Sequence, residues 1–320
     1  MKQEIRGVPM NKRSPMRRLW ANIWKRRVKY LMILPAIVFF FIFAYMPMVG
    51  VLQAVKEPSF TKGFIRSDWA NPWYKYFKQF LNNYQLSTLI VNTLRISILR
   101  MITGFPARVI LALLLNELRS KRFKRVVQSV SYIPQFISWA VIVSMLNQLL
   151  SPYGGPVNTL MAKLVPNWTP YWFMGEEASF IPVLLLSGIW KGLGWSTIVY
   201  LAAIAGVNPE LYEAAYIDGA GRVRMAFSIT LPSIAGTMGL LFIMGVGGLV
   251  AAGYDPIYLM QTPANIGVSQ VIDTYVMDVG IRNGRFSLAT AASVCQGLIS
   301  LFLVVTTNAI FRKTTEISMW

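Results

Sequence analysis

The chain has 320 residues, of which 55% are hydrophobic and only 14% charged, where an average soluble domain carries about 25% charged residues. Lysine and arginine number 31 against 13 acids, for a net charge of +18, with no histidine and one cysteine. The lack of histidine removes the commonest general base and the commonest metal ligand, and one cysteine excludes a disulfide framework or a Cys-cluster zinc site.

Along the chain, the first 29 residues hold ten lysines or arginines against one acid. Trp20, Ile23 and Trp24 among Arg17, Arg18, Lys25, Arg26 and Arg27 suit an interfacial helix, a disordered basic tail being the alternative. Residues 30–55 form a first transmembrane helix with no charge in 26 positions, longer than the apolar core of a cleavable signal peptide, about 7–15 residues. An external loop, 56–87, is rich in rings: Trp69, Trp73, Tyr74, Tyr76, Phe77, Phe80 and Tyr84. Such rings settle at a membrane boundary or anchor a partner.

Five more apolar stretches follow. Residues 88–116 are interrupted by Arg95, Arg100 and Arg108. Residues 126–162 are uncharged, with a break expected at 151–156. Residues 178–208 carry only Lys191, and 225–254 and 286–311 carry no charge. Each stretch exceeds the roughly 20 residues needed to cross a bilayer. The expectation is an all-α polytopic membrane protein of about six transmembrane helices, its core of five spanning 88–311 and its tail 312–320.

The charges between the spans predict orientation. The N-terminus, the second and fourth loops and the C-terminus collect 19 basic residues, the opposite side eight, and the spans four. Basic flanks stay in the cytoplasm, so both termini are expected there, and the basic excess reports topology rather than nucleic-acid binding. No phosphate-binding loop occurs. Gly245-Val246-Gly247-Gly248 has no preceding strand, so close helix packing is the expectation for it and for Gly188 and Gly192.

One loop is specific. In residues 208–232 Asn208 suits an N-cap, Pro209 the first helical position and Glu210 the positive helix end. A short helix should run to about Ile217 and stop at Asp218-Gly219, where Gly219 can take a positive φ. A second short helix should then carry Phe227 towards Leu231-Pro232.

Glu213-Ala214-Ala215, Asp218-Gly219-Ala220, Phe227, Ile229, Leu231 and Pro232 resemble the EAA loop of ATP-binding-cassette (ABC) importer permeases. Leu113 to Arg119, Ser131-Tyr132-Ile133-Pro134, Ile189 to Trp195 and Val271 to Val276 resemble the oligosaccharide and polysaccharide branch, related to the larger maltose-transporter permease. The resemblance covers residues 30–320 and departs at Ala235-Gly236, where the family often has a second proline. It implies the type I ABC importer permease fold. It also implies a second permease subunit, in a heterodimer more often than a homodimer, two cytoplasmic ATPase subunits that hold ATP and Mg, and an extracytoplasmic solute-binding protein. No cofactor or metal is expected on this chain, which would be a transport subunit in the bacterial inner membrane and not an enzyme. Glu213, Ala214, Ala215, Asp218, Gly219 and Ala220 would couple it to the ATPases.

Ionisable residues within spans usually face a polar cavity or a partner, although long side chains also snorkel to the interface. Arg100, Lys191 and Arg95 are therefore candidates for a translocation path, with Trp195, Tyr254 and Asp255 for sugar contact. An acidic sugar such as alginate fits the cationic spans and the family branch. An ion-coupled secondary transporter should show carboxylates within its spans and internal repeats, and neither is found; a lipid-linked-sugar transferase would need an acid/base pair at the membrane face.

Overall fold

A computed structural model describes residues 16, 24–59, 62–315 and 319. Arg17, Arg18, Trp20 and Ile23 of the expected interfacial helix lie outside the described residues; within them, the Arg27 guanidinium stands 5.1 Å from the centre of the Trp24 ring. The chain divides into two compact units, Met1–Leu52 and Gln53–Trp320. Most of α1 (Arg27–Val55) belongs to the first. Its α-helical part passes through Pro35 into a π-turn at Phe41–Tyr45, with no buried residue in either. A helix apolar on every side is built for lipid or for another protein.

In the second unit α2 (Lys75–Leu81) packs on α13 (Phe286–Thr315), which with α3 (Leu86–Glu117) and α7 (Glu177–Ala205) makes three long helices. Between α3 and α7 lie α4 (Lys121–Tyr132), α5 (Trp139–Leu149) and α6 (Pro156–Leu164). After α7 come α8 (Pro209–Ile217), α9 (Arg222–Ser233) and α10 (Ala235–Gly247), then α11 (Tyr254–Met260) and α12 (Ile272–Met277). Three buried clusters run along α3. Leu89 packs with Phe80, Tyr275 and Leu288; Ile96 with Val143, Phe180 and Ile257; Val109 and Ala112 with Tyr200, Ile204 and Ile234.

That order gives the relative directions of the helices. Ile96 meets the beginning of α7 and Val109 meets its end, so α3 and α7 run parallel. Phe105 meets Phe242 while Arg100 reaches Ala252, so α10 runs against α3. Two parallel spans must have one crossing between them. The crossing between α3 and α7 is a bent pair: Lys121–Phe136 and Trp139–Leu149 meet at 100°. A second pair, Arg222–Ser233 and Ala235–Val250, is bent by 65°. Four continuous helices and two bent pairs therefore account for the six expected spans.

The third span breaks at Ile137-Ser138, ahead of the break at 151–156 that the sequence suggests. Pro134 sits in a 3-10 turn, Ile133–Phe136, and the Ser138 hydroxyl then caps α5 by accepting the N–H of Val141 at 3.4 Å. The expected break at 151–156 is present as well: the Gly154 turn separates α5 from α6. The basic segment 117–125 is also largely helical, since Ser120 caps α4 and Lys121 opens it.

The ring-rich segment 56–87 divides in two. Tyr76 and Phe80 are buried in the core, whereas Trp69, Trp73 and Tyr84 are exposed. Glu57 accepts from Lys75 Nζ at 2.7 Å and from the Tyr76 hydroxyl, and these bonds hold its carboxyl below the usual range.

The glycines also sort differently from the expectation. A Cβ at Gly188, Gly192, Gly245 or Gly248 would meet nothing within 4 Å, so these glycines keep space open instead of closing a contact. Of the expected positions only Gly247 is closely packed, where a Cβ would lie 2.7 Å from Val304 Cγ2, and the tightest approach is at Gly194, where a Cβ would lie 2.1 Å from the Ser131 carbonyl oxygen. Backbone cannot yield there, so Gly194→Val should force α7 away from α4. Overpacking of this kind costs about 1–3 kcal/mol or more. Size-exclusion profiles of the solubilised protein should show loss of the folded species, with Gly236→Ala, where a Cβ meets nothing within 4 Å, unaffected. A normal profile for Gly194→Val would remove this contact from the account.

Candidate functional site

The first site is the α8–α9 turn. Asn208 Oδ1 accepts the N–H of Glu210 at 3.1 Å, and Pro209 opens α8, which has no buried residue. The helix stops as its residues dictate. Gly219 takes φ +75°, Gly219 N–H reaches Tyr216 O at 3.1 Å, and Ala220 N–H reaches Ala215 O at 2.9 Å. This pair of reversed bonds satisfies the last carbonyls of a helix and needs a left-handed residue at its centre. Gly221 then leads into α9.

The Tyr212 hydroxyl lies 3.0 Å from that of Thr230, bracing α8 against α9. Arg222 approaches Glu117 at 3.7 Å, tying the turn to the end of α3, though both groups are exposed, and such a pair contributes little. Glu213, Ala214 and Asp218 are exposed, and Ala215 and Ala220 half-buried. Tyr216 is 77% and Ile217 84% exposed, with Val223 and Phe227 also bare. Tyr216, Ile217 and Val223 lie outside the residues that the motif singles out in the sequence. The signal for them is a run of apolar side chains around a helix stop too short to bury them.

The second site is the set of basic residues along the spans, which the fold separates. Arg95 lies exposed on α3. Arg100 turns inward, where its guanidinium donates to the Ala252 carbonyl and meets the field of Asp273. Asp273, not singled out in the sequence, accepts from Gly253 N–H and from Gln296 Nε2, both at 3.0 Å. Lys191 is engaged elsewhere. Its ammonium donates to the carbonyls of Pro134 (3.4 Å), Gln135 (2.9 Å) and Ile137, and stands 5.7 Å from the centre of the Trp139 ring. It closes the carbonyl end left open where the third span breaks, as cations do at helix C-termini.

The aromatic candidates are not brought together. Trp195 sits edge-on to Phe136 at 5.9 Å, half exposed. Tyr254 stacks on Tyr258 at 4.7 Å, and Arg282 stands over Tyr258 while pairing with Asp278. Asp255 is exposed in the first turn of α11, where a carboxylate complements the helix end. Arg100 lines a cavity of about 260 Å³ with Trp139, Gly188 and Gly192.

Residues 104–315 match the family described as "binding-protein-dependent transport system inner membrane component". Protein LplB of Bacillus subtilis (strain 168) is 37% identical over 312 residues, covering 96% of this chain and 97% of that protein. The polygalacturonan/rhamnogalacturonan transport system permease protein YteP of the same organism is also 37% identical, covering 95% and 94%. Among solved structures, a bacterial alginate ABC transporter in complex with alginate pentasaccharide-bound periplasmic protein contains a chain that superposes with a TM-score of 0.83. Its identity is 34%, over 94% of this chain and all of that one.

Proposed function

Because the chain belongs to the family of binding-protein-dependent transport system inner membrane components, and is a multi-pass sugar-importer permease that works with a binding protein rather than an enzyme, we propose that it carries an acidic oligosaccharide or polysaccharide. In this reading it forms half of a path with a second, non-identical permease in the bacterial inner membrane. ATP and Mg bind two ATPase subunits beneath it.

The observation that carries the coupling half of the proposal is the α8–α9 turn. It is braced by Tyr212 and Thr230 and presents Tyr216, Ile217, Val223 and Phe227 with no core of its own. Apolar side chains on a rigid hairpin are the signature of a surface that inserts into a partner groove. Closure of the ATPases on ATP moves the docked turn, and α9 transmits that movement to α10 across the 65° bend. Glu213 remains available to a basic group of the partner. The acidic cargo is supported by the similarity to a permease of a polygalacturonan/rhamnogalacturonan transport system and to a chain of an alginate ABC transporter. Arg100 is retained for the path on its position beside a cavity, and Trp195, Tyr254, Asp255 and Arg95 as outlying contacts.

The test is ATP hydrolysis by the reconstituted complex, co-expressed with the permease and ATPase encoded beside it, and supplied with binding protein loaded from a panel of neutral and acidic oligosaccharides. Acidic sugars should raise the rate severalfold over unloaded binding protein. Stimulation by neutral sugars alone would refute the acidic cargo, and no complex with any ATPase would refute the coupling role.

A further inference from the structure

The end of α5 and the loop before α7 enclose a cavity of about 450 Å³ that neither the coupling turn nor the basic spans use. Asn147, Ser151, Tyr153, Trp172 and Met174 line it. Met174 packs with Phe180 at the beginning of α7, whereas α8 follows the end of α7, so the cavity lies on the face opposite the α8–α9 turn.

Its two walls are tied together by one buried side chain, Asn158 of α6. The Asn158 amide donates to Ser151 O and Tyr171 O, both at 3.0 Å, and its Oδ1 accepts from Tyr171 N–H at 2.8 Å and from the Trp168 indole at 3.1 Å. The Tyr153 N–H donates to the Ser151 hydroxyl at 3.1 Å, which fixes the turn again. Buried Asn265 donates to the Met174 carbonyl at 3.0 Å. A Cβ at Gly175 would lie 2.2 Å from the Trp172 ring, so one side of that ring is set against backbone.

On this ordered frame the rings stay bare: Tyr153 is 93% exposed and Trp172 45%. The backbone beneath them is already held, so a ligand that covers them meets little further ordering cost. Among the described residues that line the cavity none is charged. A pyranose has the matching chemistry. Its C–H groups stack on aromatic faces, and its hydroxyls bond at the edge to a carboxamide such as Asn147 and a hydroxyl such as Ser151. Pockets for small ligands combine apolar walls with a few polar groups in this way, whereas rings that only anchor a membrane boundary need no cavity.

We propose that Tyr153 and Trp172 form an entry subsite that holds a pyranose unit of the saccharide on the face opposite the coupling turn, by its C–H face rather than by its charge. The proposal rests on the reading of the chain as a saccharide-importer permease and holds for an acidic or a neutral cargo. An uncharged subsite grips each unit of a saccharide chain alike, which suits a first hold on a chain released by a binding protein.

The experiment measures equilibrium binding of end-labelled tri-galacturonate, and of the neutral trisaccharide made by reducing its carboxyl groups, to the complete complex in nanodiscs without binding protein. Tyr153→Ala and Trp172→Ala should each weaken binding of both probes about threefold to tenfold, the scale of one aromatic contact. Tyr153→Phe keeps the ring and should retain most of the affinity. Tyr153 is bare, so its replacement leaves the fold intact and guards against a folding failure of Trp172→Ala. Docking of sugar-free binding protein on the complex should be unchanged in Tyr153→Ala; weaker docking would assign this surface to the binding protein and overturn the subsite. Unchanged binding of both probes in Tyr153→Ala and Trp172→Ala, weakening of the acidic probe alone, or no binding of either probe by the unaltered complex would overturn it as well. Binding of both probes with uptake of the neutral one alone, measured in proteoliposomes with binding protein, would instead keep the subsite and refute the acidic cargo.

Discussion

Replacing Gly219 by proline is expected to abolish substrate-stimulated ATP hydrolysis while the subunit remains inserted in the membrane. Gly219 has φ +75°, and the proline ring holds φ near −65°. The substitution also removes the N–H that reaches Tyr216 O, and it misdirects the neighbouring bond from Ala220 to Ala215 O. Forcing a residue into an unsuitable backbone region costs about 1–3 kcal/mol, and here the chain can escape only by rerouting the turn. Tyr216 and Ile217 would leave their positions, and with them the apolar surface offered to the ATPase. Because α8 buries nothing, its loss leaves the three core clusters untouched, so abundance of the subunit should hold. Gly219→Asn is the control, as asparagine tolerates the left-handed region, and it should retain most of the stimulation. Full stimulation in Gly219→Pro would exclude this turn as the coupling element.

Lys191→Met is expected to destabilise the protein and to reduce transport of acidic and neutral sugars alike. Methionine approximates the volume of the stem but leaves the carbonyls of Pro134, Gln135 and Ile137 without their shared donor. Pro134 O keeps the Ile137 N–H at 3.2 Å, but Gln135 O and Ile137 O lose this donor at the point where the third span turns by 100°, and a buried group left unsatisfied costs about 1–3 kcal/mol. The loss should show as a lower midpoint in thermal unfolding of the solubilised complex. Selective loss of acidic transport at unchanged thermal stability would return Lys191 to the path and overturn its assignment to the helix break.

These two residues mark the boundary between what was legible and what was not. The α8–α9 turn was legible almost residue by residue, because Asn208, Pro209 and Gly219 act on the backbone within one helical turn of themselves. Lys191 and Arg100 looked alike in the sequence as cations in apolar runs. Which one is occupied, and by what, depends on segments 54 and 152 positions away. Asp273 could not be recognised as a charge whose field reaches Arg100, since nothing local to either residue signals the other. The glycines behaved in the same way: Gly192 and Gly194 both lie within Ile189 to Trp195, yet only Gly194 faces the Ser131 backbone.

By itself, then, the sequence determined the class of solvent, the number of crossings and the chemistry of the one exposed turn, because hydrophobic length, capping and left-handed φ are properties of short stretches. Only the tertiary structure decided where two of the crossings break, which glycines hold contacts and which hold space, and which carbonyls Arg100 and Lys191 are bonded to. Those outcomes follow from which helix faces meet, and a charge within a span acquires a role only when its neighbours are in place.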